Sequence, residues 1–318
     1  MRRCEHPALV ELTLPGVGLP RAVLHDAGLA GKGLPGTSPV DAGVPGSGPG
    51  SAEAIVCFPP TAASASYYRF LAQALADRGC ATRVFAVQYP GRETRFGEAP
   101  FTDRAEAVHE AVEAMRAEGL LPAVPQRRRR WPWGRKRSAA PSREGMEPAA
   151  SEPGPRLTLL GHSLGAQLAF DAAVLACGDP APESPEATPA ISRLVLSARL
   201  PDGSGEGHPD PVAATDAELL TWLAGLGGTP SEVLQDPELA SMIADRVRGD
   251  LLLSRGPSLP GALKIPLLLL CGDQDPVADL AGMTGWGQRS SGPVQEQLLT
   301  GDHEATRTAV GEWISTLR

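Results

Sequence analysis

Apolar residues fall along this chain in two rhythms, short unbroken runs and longer stripes recurring every three or four positions, and the two alternate. The runs predict buried strands: AIVCF at 54–58, ATRVFAVQ at 81–88, RLTLLG at 156–161, ISRLVLSA at 191–198, IPLLLLCG at 265–272 and VQEQLL at 294–299. The stripes predict helices. Residues 66–79 set Tyr67, Phe70, Leu71, Ala74 and Leu75 on one face before a stop at Gly79. Residues 101–119 carry Ala105, Val108, Val112 and Met115 behind a cap near Thr102 and Glu106, and a third helix leaves Ser163 and runs to about Cys177. Strands alternating with helices imply an α/β domain with a mostly parallel sheet covered on both faces. Over 201–260 the alternation gives way to helix upon helix, at 217–227 and 236–253, an insertion ahead of the next strand where a lid would sit.

Two stretches lack either rhythm. Of the first 50 residues 17 are Gly or Pro, which offers little apolar surface to bury, so residues 1–50 read as a disordered extension ahead of one domain spanning 51–318. Gly31, Gly33 and Gly36 match a dinucleotide-binding spacing there, but Pro35 interrupts it and no strand precedes it. Residues 122–155 read as a loop insertion containing RRRRWPWGRKR at 127–137, whose plain interpretation is a solvated surface loop.

Composition narrows the classes. The chain has 318 residues, 42% of them hydrophobic, enough for one large core. Net charge is −8, and seven of the 29 basic residues are confined to 127–137, so the remainder is more acidic still and nucleic acid is an unsuitable partner. The apolar run 265–271 is too short to span a bilayer, and Glu5, His6, Pro7 and Glu11 break any secretory pattern at the start. Five cysteines (Cys4, Cys57, Cys80, Cys177, Cys271) without CxxC spacing suggest neither a disulfide framework nor a zinc site and fit a reducing cytoplasm. Cys57 and Cys271 lie inside apolar strands, where they read as small core hydrophobes. No metal or cofactor motif is present.

The chemistry gathers at strand ends. Gly161-His162-Ser163-Leu164-Gly165 is a GxSxG sequence entered from an apolar strand and left by a helix, the context a nucleophile elbow requires. Serine needs a base, itself oriented by a carboxylate, and on such a scaffold they follow in the order serine, acid, histidine. Of six histidines (His6, His25, His109, His162, His208, His303) only His303 follows the last strand able to present an acid. Its plainer reading is a surface residue capping the terminal helix. Asp273 and Asp275 compete for the acid. Asp275 is preferred, because Pro276 fixes the backbone after it and the spacing from Gly272 leaves a turn for the side chain to reach His303. An oxyanion hole would combine the amide of Leu164 with that of Thr61 or Ala62, since Pro60 has no N–H to give.

Four segments resemble type II thioesterases: FPPTAAS near 58, VQYPGRETRF near 87, GHSLGAQLAFDAA near 161 and LAGLGGTPSEVLQDPEL near 223. The resemblance covers roughly 53–318 and implies an α/β-hydrolase fold with a helical lid. It also implies hydrolysis of acyl thioesters on the phosphopantetheine arm of acyl or peptidyl carrier proteins in polyketide or nonribosomal peptide biosynthesis. It makes Ser163 the nucleophile, Asp275 the acid and His303 the base, with Thr61 and Leu164 at the oxyanion positions, and calls for no cofactor or metal. Lid residues Leu219, Leu220, Trp222, Leu223 and Leu226 would line an acyl chamber or simply pack the lid. The chain departs from the family at Pro60, Ala62 and Ala63, where an aromatic or histidine and two glycines are usual, and at Asp302 and Glu304, where GGHF is usual. A general carboxylesterase with the same residues and a carrier-binding module with weakened catalysis are the rival readings. A cytoplasmic monomer with no membrane association is the default expectation.

Overall fold

The computed structural model describes residues 1–13, 53–122, 156–177, 191–201, 208–226, 236–255 and 258–317. The arginine block at 127–137, the GGTP sequence at 227–230 and nearly all of the Gly/Pro-rich stretch lie outside the described residues. Among the described residues eight strands form one sheet in the order β1-β2-β4-β3-β5-β6-β7-β8: β1 (Arg2–Arg3), β2 (Leu9–Glu11), β3 (Glu53–Phe58), β4 (Arg83–Val87), β5 (Arg156–His162), β6 (Ile191–Ser197), β7 (Leu267–Gly272) and β8 (Val294–Leu299). Pairing is parallel from β4 through β8, while β1 and β2 run antiparallel along the outer edge of β4.

The presence of β2 corrects the expectation that residues 1–50 stand outside the domain. Leu9, Val10 and Glu11 pair with Val87, Ala86 and Phe85, and Ala8 through Leu12 are buried. Composition averaged over fifty residues conceals a short apolar segment, ALVEL, that precedes the glycines. Its one charge is met by Arg83, whose Nε donates to Glu11 Oε1 at 2.9 Å.

Because strand side chains alternate between faces, the buried runs supply two cores at once. Val56, Phe58, Leu157, Leu159, Leu194, Leu196, Leu267 and Leu269 join the helices α2 (Arg104–Ala117) and α3 (Leu164–Cys177). Ile55, Cys57, Leu160, Val195, Leu268 and Leu270 join α1 (Arg69–Asp77) and Trp313. Cys57 and Cys271 sit in these cores with no exposed surface. Helix α3 is buried on every side from Leu164 to Val174, as an all-round apolar helix between sheet and α2 must be.

Element ends follow local chemistry. Helix α2 is capped by Asp103, whose carboxylate accepts from the Glu106 amide, one residue beyond the Thr102 expected from the pattern. Strand β7 starts at Leu267 because Pro266 lacks a donor. The insertion between β6 and β7 contains α4 (Asp216–Gly225), opened by a Thr215–Glu218 capping box, and α5 (Pro237–Ser254), capped by Asp236. These two helices share a small core of their own, Leu219, Leu223, Ala244, Val247 and Leu251.

The tightest constraint lies where β5 turns into α3. A Cβ on Gly165 would fall 1.9 Å from the carbonyl oxygen of Phe58, and one on Gly161 would fall 2.1 Å from that of Gly165. Both obstacles are backbone, so neither can yield as a side chain does. Gly165→Ala is expected to destabilise the fold by about 3 kcal/mol or more, measured by urea denaturation; an unchanged midpoint would contradict this packing.

Candidate active site

Ser163 occupies the turn between β5 and α3 with φ +53°, a left-handed conformation that a non-glycine residue adopts only under constraint. The constraint comes from Gly161 and Gly165 on either side and from the Ser163 amide, which donates to Ser197 O of β6 at 2.9 Å. The side chain is thereby presented at the C-terminal rim of the sheet, at the mouth of α3, where the unpaired N–H groups of the helix favour negative charge.

Two and three strands along, Asp275 follows β7 and His303 follows β8, and the fold brings them together. His303 Nδ1 lies 3.0 and 2.9 Å from the two oxygens of Asp275. Asp275 Oδ1 also accepts from the amides of Val277 and Ala278 at 2.8 and 3.2 Å, which fixes the carboxylate from below. The competing carboxylate has another duty: Asp273 is exposed, and its Oδ1 accepts from the Gly301 amide at 2.9 Å, tying the end of β7 to the loop that carries His303. Gly272 makes this approach possible, since a Cβ there would stand 2.2 Å from Asp302 O. His303 is 3% exposed, and its second nitrogen, Nε2, is buried without a hydrogen-bond partner among the described residues.

The surroundings of His303 contain a network that no motif announced. Its ring stands 5.0 Å, centroid to centroid, from that of His162, the residue before the serine, and His162 in turn stacks on Tyr67 at 6.0 Å with the planes 6° apart. His162 Nδ1 lies 3.2 Å from Ser197 Oγ, which also meets Thr306 Oγ1. Full burial, with His303 and Arg307 adding positive charge nearby, pushes the His162 imidazole well below its ordinary range, so it is neutral near pH 7. The two carboxylates flanking His303 in sequence turn elsewhere: Glu304 accepts from the Tyr67 hydroxyl at 2.8 Å and from Arg307 Nε at 3.0 Å, and Asp302 accepts from the Glu304 amide at 2.9 Å. Burial and then the Glu304 charge drive the Tyr67 phenol well above its usual value, so it stays a donor.

Beyond the end of β3, whose last carbonyl abuts Gly165, residues 60–63 form a turn in which the Ala63 amide donates to Pro60 O at 3.1 Å and Ala62 has φ +61°. The Ala62 amide donates to Asp250 Oδ2 of α5 at 2.7 Å, so its N–H is already committed. Arg92, from the YPGR sequence, reaches both oxygens of Asp250 and gives its other terminal nitrogen to Ala63 O at 2.6 Å. From the lid side, His208 lies edge-on to Trp222 at 5.2 Å. Burial first, and then Arg199 and His303, bring His208 down to about 4. Leu219 and Leu223 are occupied in the lid's own core.

A thioesterase domain model matches residues 53–120 and 149–318. This chain belongs to the thioesterase family. It is 30% identical over 261 residues to "Thioesterase PikA5" of Streptomyces venezuelae, covering 80% of this chain and 76% of that protein. It is also 30% identical over 277 residues to "AMB antimetabolite synthetase AmbE" of Pseudomonas aeruginosa, spanning 85% of this chain but 11% of that much longer protein. Among solved structures it superposes on the type II thioesterase BorB from the borrelidin biosynthetic cluster with TM-score 0.60 and 28% identity, over 84% of this chain and 93% of that one. The type II thioesterase YbtT, at 20% identity, shares the fold with TM-score 0.64. The architecture is therefore the α/β-hydrolase fold, and this thioesterase is a serine hydrolase. Among the described residues no helix is long and apolar enough to cross a membrane, and no cluster of three or more His, Cys, Asp or Glu side chains is arranged to hold a metal.

The sequence does not single out Asp250, Arg92 or His162 as neighbours of the site, although a signal for one exists. Asp250 falls on the Ala244–Val247–Leu251 stripe of α5, and a carboxylate among apolar positions implies a buried partner. The neutral His162 also has a pH signature. The unfolded chain protonates it below about 6.5 while the native state resists, so its contribution is full above that value and falls as pH drops through it. The parent protein is expected to lose stability below about pH 6.5, by up to about 1.4 kcal/mol per pH unit, and His162→Gln to lack this component. Identical pH–stability curves in chemical denaturation would refute it.

Proposed function

We propose that this thioesterase hydrolyses acyl thioesters carried on the phosphopantetheine arm of acyl or peptidyl carrier proteins, removing aberrant or stalled acyl groups from a polyketide or nonribosomal peptide synthase. The observation that carries the reading is the pairing of His303 with Asp275, its Nε2 left buried and unpartnered, on the same rim as the left-handed Ser163. In this mechanism Ser163 Oγ attacks the thioester carbonyl as His303 Nε2 takes its proton, and Asp275 holds the ring and balances the imidazolium. Charge that develops on the carbonyl oxygen is met by the amides of Leu164 and Thr61. Thr61 is assigned because Ala62 donates to Asp250 and Ala63 to Pro60. The tetrahedral intermediate collapses, the carbon–sulfur bond breaks, and the pantetheine thiolate takes the proton from His303. Water, deprotonated by the same imidazole, then attacks the acyl-serine and releases the free acid. A thioester suits the site because its thiolate leaves readily.

Removal of stalled groups by a separate enzyme agrees with the likeness to PikA5 and BorB along most of their lengths. A monomer acting in a reducing cytoplasm completes the proposal, consistent with cysteines that are all free. Ser163→Ala and Asp275→Asn are each expected to lower kcat by at least about 10³-fold on an acyl carrier protein thioester, with protein that remains folded. Turnover undiminished by Ser163→Ala would sink the mechanism. The carrier thioester is expected to be hydrolysed faster than a matched oxygen ester. A strong ester preference, or a Ser163 that a fluorophosphonate fails to label, would count against the proposed function.

A further inference from the structure

The arrangement of Arg92, Asp250 and the turn at 60–63 is costly in two ways that nothing in the acyl-transfer steps themselves requires. Ala62 holds φ +61° at the third position of a β-turn, where glycine or asparagine is the residue that fits without strain. Arg92 and Asp250 have side chains only 2% and 4% exposed, so two charges have been withdrawn from water to meet there. Each feature accounts for the other. Asp250 Oδ2 accepts the Ala62 amide at 2.7 Å, Arg92 gives one terminal nitrogen to the carboxylate and the other to Ala63 O at 2.6 Å, and the turn is held at its N–H and at its carbonyl.

We propose that Arg92 and Asp250 are positioning residues for acyl transfer: they hold the Ala62 turn left-handed, which aims the Thr61 amide, and through Asp250 they make that aim conditional on the seating of helix α5. The inference rests on the reading of Thr61 as an oxyanion donor. Neighbouring contacts act in the same direction. Glu93, itself at φ +40°, accepts from Ser64 Oγ at 2.7 Å and from Ser66 Oγ, and Gln88 accepts the Ala65 amide at 3.1 Å while donating to Arg92 O at 2.8 Å. Residues 88–93 thus grip the 62–66 loop from beneath, and Asp250 grips it from α5. Ala62 also packs against the core shared by α4 and α5, so the turn touches the insertion through its methyl group as well as its amide.

The consequence is a coupling between the insertion and the reacting centre. Where α5 is seated, Asp250 balances Arg92 and pins the turn. Where it lifts, Ala62 loses its acceptor and Arg92 its counterion, and the turn relaxes toward the negative φ that alanine prefers, carrying the adjoining Thr61 peptide with it. An oxyanion donor acts only when aimed beforehand at the developing charge, so the relaxed turn binds substrate yet turns it over slowly.

The test is a double-mutant cycle of Asp250→Asn with Ala62→Gly, read as kcat and KM on an acyl carrier protein thioester, with circular dichroism and thermal melts for each variant. Asp250→Asn is expected to lower kcat about tenfold to a hundredfold, less than outright loss of a donor, with KM within about twofold. In the Ala62→Gly background the same change is expected to cost about threefold or less, because glycine holds the positive φ unaided. An Asp250→Asn enzyme with kcat within about twofold of the parent would overturn the proposal, and so would equal losses in the two backgrounds, which are what a purely structural ion pair gives. Should Asp250→Asn not fold, Arg92→Lys, which keeps the charge and removes the fork, carries the same cycle with the same two readings. Failure of the underlying mechanism would appear separately, as turnover that survives Ser163→Ala.

Discussion

Backbones that approach closer than a methyl group permits hold this molecule's chemistry in register. Phe58 meets the start of α3 at Gly165, the ends of β5 and α3 meet across Gly161, and the 301–302 backbone passes over β7 at Gly272. Any side chain at these three places would drive apart segments whose relative positions decide everything near the sheet rim. The strained φ of Ser163 follows from the first two contacts, and the delivery of His303 onto Asp275 follows from the third. The sheet itself, filled with Leu and Val on alternating faces, supplies the rigid platform that keeps these approaches from relaxing.

Behind that rim lies a largely buried polar layer. Tyr67, His162, Ser197, Glu304 and Thr306 come from four different segments and meet beneath His303. In such surroundings an imidazole sheds its proton and a phenol keeps its own, so His162 and Tyr67 act as fixed, neutral shapes beside the His303 ring. The insertion is organised differently. Its helices have a small core of their own and reach the 60–63 turn through Asp250 and Ala62. Helix α5 is also fastened to the base at its C-terminal end, where Leu253 enters the main core and Arg199 and Arg104 donate to the carbonyls of Ser254 and Leu253.

What could be read from the chain alone follows from how local each signal is. GxSxG is contiguous and bounded by a strand and a helix, so Ser163 stood out, and the order of strands left His303 as the only histidine in the right place. Choosing between Asp273 and Asp275 needed the turn that carries them: one carboxylate ends up against the His303 ring, and the other braces the Gly301 amide. The strands of the buried sheet were legible to within two residues because apolar runs are insensitive to their partners. Leu9–Glu11 was hidden because three residues beside a glycine-rich stretch have no periodicity of their own and gain a partner only when β4 is present. Arg92 and Asp250 were hidden for the same reason across a longer distance, since their meaning lies in a pairing between residues 158 positions apart.

Strand β2 makes the first residues of the chain part of the sheet. β2 and β3 flank β4 on its two sides, so the described residues before and after the 14–52 interval belong to one sheet. Loss of residues 1–12 would strip the strand that shields β4 and expose its unpaired amides as a template for other chains.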